Sequence, residues 1–110
     1  AMTEKQLQQA ITDAAQLLGW LVYHTHDSRH SAKGFPDLVM VRGGRLLFVE
    51  LKAEKGKLSP EQRAWFQALV SVSVEIDARI DDSFVENTGV VEVYVWHPTD
   101  LDFALSVLKG

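Results

Sequence analysis

The length, composition and charge of the chain limit what kind of protein it can be. Its 110 residues are enough for one domain, and an apolar share of 46% with a charged share of 24% is ordinary for a globular protein. No apolar run reaches the roughly 18 residues of a membrane span, and the N-terminus lacks the pattern of a secretory signal. Because the chain has no cysteine, disulfides and thiolate metal sites are excluded. We therefore expect a single, cytoplasmic domain over residues 1–110.

The net charge of −4 is unevenly distributed along the chain. Residues 29–63 carry eight basic and four acidic side chains, a surplus of +4, so the rest of the chain carries −8. Such a division indicates one face for a polyanion, although chance clustering on a solvated surface explains the charges equally well. Five basic residues flank the central motif and are either phosphate contacts or solvated charges. These are Arg29, Lys33, Lys55, Lys57 and Arg63.

The first third of the chain predicts a helix, a strand and a loop. Thr3 and Gln6 have the spacing of a capping box, apolar residues then recur at helical spacing to Leu18, and Gly19 suits the position after a helix end. Residues 20–25 are rich in aromatic and β-branched side chains, which predicts a strand. The polar residues 26–34 predict a loop.

The middle of the chain predicts a hairpin followed by a helix. Two apolar strands, residues 37–42 and 45–52, surround a Gly-Gly pair that tolerates the positive φ angles of a tight turn. After a charged loop, Ser59 is the expected N-cap of a second helix, with Gln62 closing a capping box.

The last third predicts further strands and a terminal helix. Apolar and polar residues alternate strictly over residues 70–80, which predicts a half-buried strand. A loop over residues 81–89, a last strand over residues 90–96 and a helix capped by Thr99 and ending near Leu108 follow. The whole pattern predicts an α/β fold, with helices on the faces of a mixed central sheet.

The hairpin also predicts which side chains face each other. With a two-residue turn, Arg42 pairs with Arg45, so Asp37 lies opposite Glu50 with Lys52 on the same face. Opposite residues have Cβ atoms roughly 4.5–5.5 Å apart, a distance at which two carboxylates repel unless a divalent cation reverses the interaction. Carboxylate oxygens favour Mg²⁺ or Mn²⁺ over Zn²⁺. In the alternative interpretation, Asp37 caps the start of its strand, and Glu50 and Lys52 form a surface pair.

These residues resemble a known nuclease signature. The segments Gly34-Phe35-Pro36-Asp37 and Glu50-Leu51-Lys52 are similar to the PD-(D/E)XK motif. Together with Glu4 in the first helix and Gln62 in the second, the pattern resembles the VRR-NUC branch, the virus-type replication-repair nucleases. The resemblance implies a restriction-endonuclease-like core of αβββαβ order.

The resemblance covers residues 3–69 and resumes over residues 90–108. Family members pass from the second helix to the last strand in a short turn, so we interpret residues 71–89 as an insertion in a single nuclease domain. This insertion leaves the motif residues untouched, but it leaves open the specificity and the assembly of the protein.

The resemblance also implies roles for the motif residues. Asp37 and Glu50 would bind the metal, together with the backbone carbonyl of Leu51. Lys52 would position or activate the attacking water.

Two helix residues have a simpler alternative. Glu4 would complete the acidic cluster, since it lies on the apolar face of the first helix, but it also suits a helix N-terminus by its charge alone. Gln62 would support the site from the second helix, or it serves only to close the capping box.

The function implied by the resemblance is Mg²⁺- or Mn²⁺-dependent hydrolysis of DNA, with a preference for four-way junctions or flaps and a role in DNA repair. Because stand-alone members of the family look like dimers, the resemblance also implies a homodimer. Residues 70–80 could either cover the partner in such a dimer or form a hairpin with residues 90–96 of the same chain. One alternative is a catalytically silent module for nucleic-acid binding or assembly. Another is a histidine-metal hydrolase built on His24, His26 and His30, for which no fourth ligand is obvious.

Overall fold

The computed structural model describes residues 2–26, 32–72, 74–80 and 83–110, and it has an α/β fold. Five strands form one mixed sheet in the order β1-β2-β3-β5-β4, in which β3 and β5 are parallel and the other neighbours are antiparallel. Helices flank this sheet, as the sequence predicts. The elements are α1 Glu4–Leu17, β1 Leu21–His24, β2 Leu38–Arg42, β3 Arg45–Leu51, α2 Pro60–Val70, β4 Val74–Ile80, β5 Ser83–Trp96, a 3₁₀ turn Pro98–Asp100 and α3 Leu101–Lys109.

The predicted starts of the first two helices are confirmed. At α1 the Thr3 hydroxyl accepts from the Gln6 N–H at 3.1 Å, and the Gln6 side chain accepts from the Thr3 N–H at 2.9 Å. The same reciprocal bonds join Ser59 and Gln62 at α2. Each box binds backbone donors that have no partner within the helix, which fixes the residue at which the helix begins. None of the described helices is long and apolar enough to cross a membrane.

The central hairpin has the predicted register. Both turn glycines have positive φ angles, 54° at Gly43 and 78° at Gly44, and Arg42 pairs with Arg45. Pairing continues to Leu38 opposite Val49. One further step along the two chains brings Asp37, just before β2, to the level of Glu50 on β3.

The core lies between one face of the sheet and the helices α1 and α3. It contains buried side chains from β2, β3 and β5 together with the inner faces of both helices. Its fully buried members include Leu7, Ile11, Ala15, Leu38, Met40, Leu47, Val49, Leu51, Ala104 and Leu108. Period-two alternation then directs the remaining side chains of β2 and β3, including Glu50, to the opposite face, together with that of Asp37 just before β2.

Helix α2 lies on that opposite face. The ring of Phe35 meets Phe48 of β3 edge to face, with centroids 6.2 Å apart, and meets Trp65 of α2 in the same way at 5.0 Å. These aromatic contacts anchor α2 over the end of β3 that carries Glu50.

The other end of the sheet is tied together by two arginines. The Arg45 guanidinium donates two bonds to the Glu92 carboxylate, at 2.7 and 2.8 Å, and a third to the carbonyl of Val107 in α3. Arg42 donates to the carbonyl of Leu18, just after α1. Because both helices end here, their N-termini lie at the opposite end of the sheet, which is also the end of Asp37 and Glu50.

Three predictions about the last third of the chain are wrong. Helix α2 continues through Val70, so the strand predicted from residue 70 begins only at Val74. The predicted loop over residues 81–89 is largely strand, because β5 begins at Ser83 and its first seven residues pair with β4. The α3 cap is also misplaced, since Thr99 lies inside the 3₁₀ turn and the Asp100 carboxylate accepts the His97 N–H at 2.8 Å.

The hairpin of β4 corresponds only partly to the expected alternatives. Val74 pairs with Gly89 and Ile80 pairs with Ser83, whereas the expected partner, residues 90–96, pairs with β3 instead. The segment 83–89 has no alternation of apolar and polar residues, so its sequence does not predict a strand. It becomes a strand by pairing with β4.

Candidate active site

The predicted site residues come from three elements that meet at one end of the sheet. Asp37 precedes β2, Glu50 lies near the end of β3 with Lys52 just after it, and Gln62 lies in the first turn of α2. The hairpin register and the aromatic contacts of α2 bring these four side chains together on the α2 face.

Backbone contacts hold Asp37 on both sides. The N–H of Thr25, after β1, donates to the Asp37 carbonyl at 2.9 Å, and the Thr25 hydroxyl donates to the carbonyl of Pro36 at 3.0 Å. One carboxylate oxygen of Asp37 accepts the N–H of Leu51 at 2.9 Å. The Asp37 side chain therefore binds the end of β3, and not the start of its own strand as in the simpler interpretation, and it lies next to Glu50.

Glu50 is a buried carboxylate with an incomplete set of partners. Its side chain is 3% exposed. Its Oε2 accepts from Gln62 at 2.8 Å and lies 3.4 Å from the Lys52 ammonium, whereas its Oε1 is buried without a hydrogen-bond partner among the described residues. Burial and then the neighbouring Asp37 carboxylate raise the pKa of Glu50 to about 7, although Lys52 opposes the shift.

Gln62 connects the helix cap with the site. Its Oε1 accepts both the Ser59 N–H at 2.9 Å and the Lys52 ammonium at 2.8 Å, and its Nε2 donates to Glu50 at 2.8 Å. The two interpretations of Gln62 are therefore compatible, because a single amide closes the capping box and bridges the acidic and basic residues of the site.

Gly34 lets the motif loop approach α2 closely, a contact that the sequence did not predict. Its φ angle is +87°, and a Cβ at this position would lie 2.5 Å from the carbonyl carbon of Glu61 and 2.7 Å from the nitrogen of Gln62. A side chain cannot fit there, so the loop before Asp37 lies directly against the first turn of α2. The only sequence signal was the glycine in front of Phe35 and Pro36.

The remaining predicted residues lie around this centre or outside it. Glu4 is exposed at the start of α1, so the prediction that its side chain lies on the inward, apolar face of the helix is wrong. It lies at the same end of the sheet as Asp37 and Glu50, but no contact joins it to either in the described part of the chain. Lys33 pairs with Glu61 at 3.0 Å beside a cleft of about 260 Å³, which Asp37 and Gln62 also line. Arg29 lies outside the described residues.

The histidine site is not assembled in the described part of the chain. The rings of His24 and His26 lie 4.7 Å apart, edge to face, and His26 lines the cleft beside Asp37. His30 lies outside the described residues. Among those described, no group of three or more His, Cys, Asp or Glu side chains could hold a metal ion.

A second concavity lies beside the site, toward β5. It has a volume of about 480 Å³, and its lining includes the basic residues Lys55, Lys57 and Arg63, the acidic Glu54, and His97. We call it the basic groove. It contains three of the five predicted phosphate contacts, whereas no sequence pattern predicted that His97 would lie beside them.

The donor set at Asp37 and Glu50 fits a divalent cation. The buried Glu50 carboxylate lies beside the half-buried Asp37 carboxylate, and one oxygen of Glu50 has no partner within the described part of the chain. An unpaired buried carboxylate oxygen costs free energy, and a hard cation with oxygen ligands would remove that cost. Because two carboxylates alone do not complete a coordination shell, the carbonyl of Leu51, Glu4 or water would supply the other ligands.

A family model matches most of the chain. The model of the VRR-NUC domain matches residues 2–81, which is more than half of the chain. The chain belongs to the VRR-NUC domain family. It is therefore a nuclease-type domain, and Glu4, Asp37, Glu50, Lys52 and Gln62 all lie within the matched part. The match continues beyond residue 69, where the resemblance paused, and stops before residues 90–108.

The fold of this VRR-NUC domain also resembles a solved structure. A structure described as a VRR_NUC domain superimposes with a TM-score of 0.65 at 22% sequence identity, over 96% of this chain and 97% of the other. At this identity the likeness establishes the fold alone. Comparison with curated proteins gave no significant match.

Proposed function

We propose that this VRR-NUC domain is a Mg²⁺- or Mn²⁺-dependent endonuclease that hydrolyses phosphodiester bonds in DNA. The observation that supports this most is the pair formed by the buried Glu50 and the half-buried Asp37. One Glu50 oxygen has no hydrogen-bond partner among the described residues, and the Lys52 ammonium lies 3.4 Å from the other oxygen. Stability alone would disfavour two adjacent carboxylates of which one is buried.

Each residue has a distinct part in this proposal. Asp37 and Glu50 would hold the cation, which supplies Lewis-acid stabilisation of charge at the phosphate. Gln62 fixes the Lys52 ammonium through its Oε1. The ammonium group can therefore orient the attacking water or stabilise negative charge on the phosphate oxygens. Glu4 would approach from the start of α1 as a further acidic group.

For the substrate, we propose branched DNA such as four-way junctions or flaps, in the setting of DNA repair. The family resemblance supports this choice. Because one chain provides one active site, two symmetric cuts in a junction require two copies, and we propose a homodimer. In this proposal residues 1–110 are one nuclease domain, with residues 71–89 as its insertion.

Cleavage of a panel of labelled DNAs tests the proposal. Linear duplex, flap and four-way junction substrates are incubated with Mg²⁺, Mn²⁺ or EDTA. We expect cleavage with either cation, none with EDTA, and faster cleavage of the branched substrates. Equal cleavage rates on all DNAs would contradict the proposed preference for branched DNA but would still support the proposed nuclease activity. Tight junction binding without cleavage under any condition would instead identify the silent module as the function.

A further inference from the structure

The basic residues between positions 29 and 63 differ in whether the protein itself neutralises them. Three form ion pairs: Lys33, Arg45 and Lys52, with Glu61, Glu92 and Glu50 as their partners. By contrast, Lys55, Lys57 and Arg63 form no ion pair with any described residue, and all three line the basic groove. Glu54 lines the same groove, so its basic side chains exceed its acidic ones by two. In a chain of net charge −4, such a surplus of positive charge in one concavity indicates an anionic ligand.

The loop that carries two of these cations also packs on the Lys52 side chain. The N–H of Gly56 donates to the carbonyl of Ala53 at 2.9 Å, which closes a tight turn directly after Lys52. A Cβ at Gly56 would lie 3.1 Å from Cβ and 3.2 Å from Cδ of Lys52, so the turn lies against the aliphatic stem of this residue. The position of the loop therefore restricts the position of the Lys52 ammonium.

His97 attaches this loop to the end of the sheet. Its Nε2 donates to the carbonyl of Gly56 at 2.8 Å. On the other side of the ring, Nδ1 lies 3.4 Å from the Asp100 carboxylate, which also accepts the His97 N–H at 2.8 Å. The 3₁₀ turn after β5 thus holds the ring in place. The hydrogen bond from the ring to Gly56 in turn restrains the turn that packs on Lys52.

We propose that the basic groove binds the backbone phosphates of the DNA strand next to the scissile bond, and that His97 is the positioning residue that preforms it. The proposal rests on the proposed function. A DNA strand with one phosphate at Lys52 presents its neighbouring phosphates at regular intervals. The basic side chains of the loop after Lys52 and of the facing turn of α2 could each contact one of these phosphates. Preformed contacts bind more tightly because less ordering is required on association.

Salt-dependent binding of a short labelled duplex tests the groove. Anisotropy is measured in EDTA, so that binding is read without cleavage, for the wild type, Lys57→Gln, Arg63→Gln and the matched control Lys109→Gln at the exposed end of α3. We expect each groove variant to reduce the slope of log affinity against log salt by about one unit, and the control to leave it unchanged. Groove variants that match the control would overturn the proposal, even if the enzyme cleaves DNA.

The same assay separates DNA from an acidic protein as the ligand. Unlabelled duplex should displace the labelled duplex far more effectively than polyglutamate at equal charge. Equal displacement by the two competitors would show a general polyanion surface and would contradict the assignment. Absence of cleavage with Mg²⁺ or Mn²⁺ would count against the proposed function alone, because the binding assay contains neither cation.

Two variants of similar size test His97. Glutamine can place an amide N–H near the position of the imidazole Nε2, whereas methionine fills the space without a donor. We expect His97→Met to weaken duplex binding by roughly threefold to tenfold and to lower kcat by about tenfold, and His97→Gln to recover most of both. Equal affinity and equal kcat of the two variants would show that His97 only fills space.

Discussion

At the scale of single residues, Glu50 is notable because it is a charged side chain in a buried environment. Its carboxylate is buried, and Asp37 adds a second acidic group at close range. Each of these features disfavours the ionised form, and together they raise the pKa of Glu50 to about 7. Without a cation the folded protein therefore holds a proton that the unfolded chain would release.

The stability of the metal-free protein should consequently fall as the pH rises. Between the usual glutamate pKa of 4.5 and the folded value of about 7, the folded state binds the proton more tightly. The stabilisation is complete below the unfolded pKa and is lost as the pH rises through the folded one, by at most about 3 kcal/mol. Urea unfolding in EDTA across this pH range measures it. Glu50→Gln should show a much flatter dependence, and an unchanged slope in this variant would assign the effect to another group.

Lys52 should contribute to turnover rather than to affinity. It is one cation among several near the DNA, but Gln62 and the turn at Gly56 fix its ammonium beside the carboxylates. We expect Lys52→Ala to lower kcat by on the order of 100-fold while the Kd for DNA changes by less than about threefold. Single-turnover kinetics and anisotropy provide the two numbers. A proportional loss of both would identify Lys52 as a phosphate anchor.

At the scale of elements, the contact of the motif loop with α2 places Asp37 and Gln62 together. Gly34 and Gly19 have nearly the same φ angle, +87° and +88°, but a Cβ at Gly34 would meet the α2 backbone at 2.5 Å while one at Gly19 would meet nothing within 4 Å. Replacing each glycine by alanine therefore separates two contributions to the loss of stability: the unfavourable positive φ, which both positions share, and the steric clash with α2, which occurs only at Gly34.

Alanine at these two glycines should destabilise the protein to different degrees. We expect Gly19→Ala to cost about 1 kcal/mol because of its positive φ, and Gly34→Ala to cost roughly 2–4 kcal/mol because α2 must also move. Chemical denaturation measures both. Equal losses would mean that the loop and α2 do not meet as closely as the structure indicates.

Local signals predicted several elements and failed for others for physical reasons. The capping boxes at Thr3 and Ser59 and the glycine turn of the hairpin depend on neighbouring residues alone, so the sequence predicted the helix starts and the level of Asp37 with Glu50. The first half of β5 forms by pairing with β4, and the contact at Gly34 depends on a helix 26 residues further along the chain. Neither leaves a periodic pattern in its own segment.

At the scale of the whole molecule, the basic segment of the chain does not form one basic face. Arg42 and Arg45 lie at the hairpin turn, where they bind the ends of α1 and α3. Arg45 lies five residues before Glu50 on β3, or about 17 Å away along the strand. A linear count of charges could not separate these arginines from a single polyanion face, because the position of a charge on the sheet depends on the strand register. Of the basic residues in this segment, Lys55, Lys57 and Arg63 line the basic groove, whose role in binding DNA stays a prediction.

The assembly of the molecule is open to a direct test. The proposed homodimer should show twice the chain mass by light scattering behind a sizing column at micromolar concentration. Leu21 and Tyr23 of β1 pair with Val41 and Val39, so they lie on the same face of the sheet as α2, and they are 75% and 59% exposed. Two surfaces, β4 and this β1 part of the sheet face, could therefore form the interface. Val74→Asp should weaken the dimer if β4 forms it, and Leu21→Asp if the β1 face does. A monomer that cleaves junctions fully would contradict the dimer.

The Asp37–Glu50 pair is the centre of the account, and metal-dependent cleavage by its variants tests it most directly. Cleavage of a four-way junction is measured with Mg²⁺ for the wild type, Asp37→Asn, Glu50→Gln and the exposed control Asp13→Asn, after circular dichroism has shown that each is folded. We predict that both site variants lose cleavage by at least about 1,000-fold and keep or gain stability in EDTA, while the control cleaves like the wild type. Cleavage at the wild-type rate by either folded site variant would contradict the assignment of the active site.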